Sequence, residues 1–158
     1  PVIVPMQGGE DRALCERICA LSVGSAYTAP FSDADSIAAL FAGAAFTVGM
    51  RLHSIIYSAC VGTPVLAVSY DPKIDAVCGY LGLPAPLSAF TVTSEEMLAS
   101  LPGLSESVPR ERIAYLRGLC EEDCRRIIGA VREERISDKE KARRHGRVGG
   151  YDDIYGYI

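Results

Sequence analysis

Tryptophan is absent from the 158 residues, and histidine occurs only at His53 and His145. No apolar run reaches the roughly 18 residues that a bilayer-crossing helix needs. The start carries no charged, apolar, small-residue signal pattern, so a cytoplasmic location is expected. The chain opens at Pro1 and enters an apolar run at once, which leads us to expect one piece of a longer protein whose other half lies elsewhere. Six cysteines are present, but no C-x-x-C pair of the kind that opens a structural zinc site. Cys15 and Cys19, and again Cys120 and Cys124, stand four apart on apolar helical stretches, and Cys60 and Cys78 lie in similar surroundings. Reduced core thiols are the expectation, with neither metal nor cofactor.

Positive charge is scarce where the chain is most apolar. The net charge is −4. The first hundred residues hold four basic side chains (Arg12, Arg17, Arg51 and Lys73) against nine acidic ones, while the last 58 hold twelve and eleven. The first hundred residues carry no basic stripe or patch of the kind a nucleic-acid footprint needs, and the basic run around His145 reads as a solvated stretch. Two of the four cations fall in VGMRLHSIIYSACVGTPVLAVSYDPK, residues 48–73, each where a helix is expected to begin. A helix dipole disfavours cations at that end. A small anionic ligand held by Arg51, Lys73 and the helix N-termini together removes the conflict.

Hydrophobic residues make up 49% and charged residues 23%, enough for one domain with a real core. Short apolar runs alternate with helical periodicity. Strands are expected at 1–6, 25–30, 44–50, 63–70 and 89–92. Helices are expected at 10–24, at 32–43 with Ser32 as N-cap, at 51–62, at 71–82 and at 93–101. Strands of this length separated by helices imply β-α-β units, hence an α/β fold with a Rossmann-like parallel sheet and flanking helices over residues 1–104. A long amphipathic helix is expected over 105–135, with a stripe at Ile113, Leu116, Cys120, Cys124, Ile127 and Val131. Residues 136–158 read as a charged extension and a flexible Gly/Tyr tail.

In such sheets ligands sit at the carboxyl ends of the strands. Arg51 and Lys73 follow the third and fourth strands, and so reach one crevice if those strands are neighbours. His53 is the only histidine in the first 144 residues, and it lies beside the Leu52/Ile56 face near the crevice, a candidate general acid or base. Asp71 before Pro72 is an N-cap, and it is also the acid with which Arg51 could simply pair. Ser54 and Tyr57 either line the crevice or face elsewhere. Gln7 and Asp11 follow the first strand on the same side of the sheet.

These motifs resemble the C-terminal half of the polysaccharide pyruvyl transferase family. Four segments carry the likeness: Gly49-Met50-Arg51-Leu52-His53-Ser54, Gly62-Thr63-Pro64, Ser69-Tyr70-Asp71-Pro72-Lys73 and Leu81-Gly82-Leu83-Pro84. It extends over about residues 1–104. The resemblance implies one lobe of a GT-B-like, two-lobed enzyme of cell-wall or exopolysaccharide synthesis, with an N-terminal lobe missing here. It implies phosphoenolpyruvate as donor and a sugar or lipid-linked saccharide as acceptor. It implies catalysis by His53 and Arg51, with Arg51, Ser54, Lys73, Asp71, Tyr70 and Gln7 around the substrate. Two other readings stay open: the nucleotide-sugar lobe of a GT-B glycosyltransferase or epimerase, and a non-catalytic module acting through its C-terminal helix.

Overall fold

The structure, a computed structural model, describes residues 1–30, 33–104 and 107–144, with the side chains of 137–140 and 142–144 outside that description. The elements run β1 (Val2–Ile3), α1 (Gly8–Leu21), β2 (Tyr27–Thr28), α2 (Ala34–Ala42), β3 (Thr47–Gly49) and α3 (Leu52–Val61). Then come β4 (Val65–Ser69), α4 (Pro72–Leu81), β5 (Leu87–Ser88), α5 (Ser94–Ser100), a 3-10 turn at Leu101–Gly103 and α6 (Arg110–Arg144). Among the described residues all strand pairing is parallel: β1 with β2, and β3 with β4 and β4 with β5. The α/β class with parallel strands and flanking helices is as the sequence implied. The strands nevertheless form two sheets, ordered β1-β2 and β3-β4-β5.

Local chemistry explains most element ends. Asp71 caps α4 by accepting the Lys73 N–H at 2.9 Å, with Pro72 in the first turn. Gly62 and Gly82 close α3 and α4 with φ of 79° and 71°, a left-handed conformation that a side chain disfavours. Thr93 and Glu96 form a reciprocal capping box at the start of α5. Between the two helices, β4 is the most buried strand and forms the core with Ile55, Ala59, Ile74 and Cys78.

Several expected boundaries move. The last strand is Leu87–Ser88 and not 89–92, because the Thr91 and Val92 N–H groups fold back onto the Ser88 carbonyl to lead into the Thr93 cap. The cap of α2 is Asp33, which accepts the Ser36 N–H at 2.9 Å; Ser32 lies outside the described residues. The long helix starts at Arg110 and continues to Arg144, beyond the expected end at 135. Along it Cys120, Cys124, Ile127 and Val131 of the expected stripe are exposed. His145 and the Gly/Tyr tail lie outside the described residues. The chain divides into two units, Pro1–Ala114 and a second from Tyr115 onward.

The core thiols also need correction. Cys15 and Cys78 are buried, but Cys60, Cys120 and Cys124 are exposed and Cys19 is half-buried. Cys60 is exposed because α3 buries Ser54, Ile55, Ser58 and Ala59, not the all-apolar face including Ile56 and Cys60 that hydropathy suggests. The serines tolerate burial because each is bonded: Ser58 Oγ donates to the Ser54 carbonyl at 2.8 Å and lies 2.7 Å from Thr47 Oγ1.

Candidate functional site

β3 and β4 are neighbours in one sheet, so Arg51 and Lys73 leave the carboxyl ends of adjacent strands. Tyr70 connects them. Its hydroxyl lies 3.4 Å from Arg51 Nη1, and Lys73 Nζ sits 6.0 Å from its ring centroid.

Arg51 is held on its other side by Asp11. Nη2 donates to Oδ1 at 2.6 Å and Nε donates to Oδ2 at 3.3 Å, a two-pronged pairing of fork and carboxylate. The same Oδ2 accepts the backbone N–H of Gln7 at 2.9 Å and of Met6 at 3.2 Å. Asp11, not Asp71, is therefore the acid that Arg51 meets. Asp71 instead pairs with Lys73 at 3.2 Å.

The protonation states follow. Burial pushes the Asp11 carboxyl up, but the Arg51 guanidinium and the Gln7 and Met6 amides together outweigh it and hold the carboxyl below the usual range. The hydrogen bond to Asp11 raises the Arg51 guanidinium further above its ordinary value, so it is charged at every relevant pH. The Lys73 amide, and then its ammonium, hold Asp71 below the ordinary carboxylate value.

The helix starts differ in what they leave open. The first turn of α4 is capped by Asp71. At α3 the cap position is Arg51 itself, and no side chain caps that turn. The N-terminus of α3, beside a fixed guanidinium, is thus the more receptive end for an anion.

The other sequence candidates divide. Ser54 is buried and donates through Oγ to the Arg51 carbonyl at 2.6 Å, so it fixes the backbone from which Arg51 projects. His53, one helical residue away, is exposed and does not line the adjoining cavity. Gln7 is exposed and donates through Nε2 to Glu10 at 2.7 Å, away from the cation pair. Tyr57 is half-buried and meets Phe41 edge-to-face at 6.4 Å, a packing role. The sequence did not single out Asp75, which accepts from Ser69 Oγ at 2.6 Å and secures the end of β4. Nor did it give Asp11 its weight, because the partner stands forty positions away. Its place after the first strand was the available signal.

A lobe of parallel strands and flanking helices, with Arg51 and Lys73 at adjacent strand ends and each held by its own carboxylate, defines a Rossmann-like lobe. Residues 2–72 match the family model for polysaccharide pyruvyl transferase. The chain is also 32% identical over 106 residues to the amylovoran biosynthesis protein AmsJ of Erwinia amylovora. That alignment covers 67% of this chain and 23% of the relative's length. The chain is a member of the polysaccharide pyruvyl transferase family. No solved structure matches it. Among the described residues, no helix is long and apolar enough to cross a membrane.

Proposed function

We propose that this chain supplies the donor site of a transferase of polysaccharide biosynthesis, one that moves the enolpyruvyl group of phosphoenolpyruvate onto a sugar and closes a pyruvate ketal. The observation that carries this is the Arg51–Tyr70–Lys73 group beside the uncapped start of α3. Family membership and the similarity to an amylovoran biosynthesis protein support it.

The donor carries a phosphate and a carboxylate. Arg51 offers a planar, permanently charged fork, and Lys73 offers a point charge on the other side of Tyr70. Asp11 holds the fork in orientation, and Ser54 holds the backbone behind it. Protonation at the donor methylene carbon yields an oxocarbenium-like carbon that one sugar hydroxyl attacks. Phosphate leaves with the C–O bond it breaks, and a second hydroxyl closes the ketal. His53, exposed on the first turn of α3, is the general acid–base group in this role. The acceptor side belongs to a second lobe outside residues 1–158, in a GT-B-like arrangement. The location is cytoplasmic, with no metal or cofactor required.

Titration calorimetry with phosphoenolpyruvate, and with a uridine diphosphate sugar for comparison, tests the reading. Binding of phosphoenolpyruvate that is lost in Arg51→Ala and kept in His53→Ala is expected. Preference for the nucleotide sugar, or equal loss in the two variants, overturns it.

A further inference from the structure

Among the described residues, β1 and β3 each have one strand neighbour, on one edge only. The hydrogen bonds show which residues face the other edge. Tyr27 N–H donates to the Pro1 carbonyl and Ala29 N–H to the Ile3 carbonyl, so Pro1 and Ile3 turn toward β2. Alternation along an extended chain then turns the backbone groups of Val2 and Val4 the opposite way. Likewise Thr47 N–H donates to the Pro64 carbonyl on the β4 side, which leaves Val48 facing away from β4.

Both open edges line the same cavity of about 850 Å3, together with α1 and the chain leading into β3. Its lining includes Val2, Leu14, Ile18, Phe46, Val48 and Met50, all exposed large apolar side chains. Exposed apolar patches of this kind mark interaction sites. Leu14 and Ile18, one turn apart on α1, are bare because they face this gap.

The carboxyl ends of the two edges are tied by one side-chain pair. Oδ2 of Asp11 accepts the amides of Met6 and Gln7, just past β1, while Oδ1 takes Arg51, just past β3. Both carboxyl ends thus meet at one ion pair, one carboxylate and one arginine side chain apart. Strands flanking an absent third lie about 9.5 Å apart. The strand order supplies the rest. Doubly wound sheets of the order 3-2-1-4-5-6 carry a strand at the point where the winding reverses. Here the sheets read β2-β1 and β3-β4-β5, and it is β1 and β3 that share the cavity. One strand between β1 and β3 would complete that order at its reversal point.

We infer that the groove between β1 and β3 is a docking site for an extended apolar strand of about five residues, parallel to both edges, which fuses the two sheets into one. The occupant is polypeptide outside residues 1–158. All the chain's described strands already lie in these sheets, and 77% of the amylovoran relative lies outside the aligned part (100 − 23). The groove ends at the Arg51–Asp11 pair, which already ties the two carboxyl ends together. This inference stands on strand topology and does not rest on the choice of donor.

The test is amide hydrogen exchange, read by NMR on the full chain, with the peptide Lys-Lys-Val-Ile-Val-Ile-Val-Lys-Lys at millimolar concentration. In the free chain the Val4 and Val48 amides exchange fast and that of Thr47 slowly. The peptide is expected to slow Val4 and Val48 at least tenfold, and the same peptide N-methylated at alternate residues is expected to do nothing. Unchanged exchange of Val4 and Val48 overturns the proposal. So does equal protection by the methylated peptide, which would mean apolar contact without strand pairing. Slow exchange in the peptide-free chain, accompanied by a dimer in sedimentation, overturns it in favour of a second copy as occupant.

Discussion

Gly49 is where the geometry makes its sharpest demand. It is buried at the end of β3, and a Cβ built there would lie 2.7 Å from Ser54 Oγ and 3.1 Å from Ile55 Cγ1. The first contact is impossible without movement. Ser54 Oγ can rotate away only by giving up its 2.6 Å bond to the Arg51 carbonyl, a loss of about 1 kcal/mol. Crowding against Ile55 adds a further cost, for which overpacking suggests about 1–3 kcal/mol. Alanine regains about 0.4–1 kcal/mol by restricting the unfolded chain. Gly49→Ala should therefore destabilise the first unit by about 1–3 kcal/mol. In Ser54→Ala the obstructing oxygen is gone, and the added cost of Gly49→Ala should fall by about 1 kcal/mol, a coupling typical of touching residues. Native-state hydrogen exchange of the Ala67 and Val68 amides in β4 reports this unit without interference from the long helix. Strict additivity of the two substitutions would refute the close approach of β3 to α3, and with it the account of how Arg51 is aimed.

Two other outcomes follow from the ionisation and exposure of particular groups. Asp11 and Asp71 have carboxyls lowered in the folded state, so their stabilisation is complete above the unfolded value of about 3.9 and is lost as pH falls through the lower folded values. Urea midpoints should drop below about pH 4, and Asp11→Asn should flatten that drop; an unchanged slope in the variant contradicts the pairing. For the thiols, a disulfide reagent should label Cys60, Cys120 and Cys124 promptly, while Cys15 and Cys78, whose thiols are pushed up by burial, should react only on opening. Early labelling of Cys78 would contradict its place in the core.

Cap residues and turn glycines are local, and they were legible where they stand. Asp71-Pro72, Thr93 with Glu96, and Gly62 and Gly82 act within a few positions along the chain, so their residue types declare the element ends. The buried strand β4 is legible for a similar reason, since Val65, Ala67 and Val68 form a continuous apolar run bounded by turn residues. The short fifth strand was placed late because AFTV has the composition of a strand, while its backbone is recruited by the Ser88 carbonyl and the cap that follows.

By itself the sequence determined the alternation of helix and strand, the α/β class and the segment that carries the cations. These depend on periodicity and on residues acting over one turn. Only the tertiary structure decided that Arg51 answers to Asp11, that α3 buries two serines, and that the strands split into two sheets around an apolar groove. Partner choice across forty residues depends on where strand ends meet in space. An edge is open or closed only according to which strand lies beside it, and neither property has a local signature in the chain.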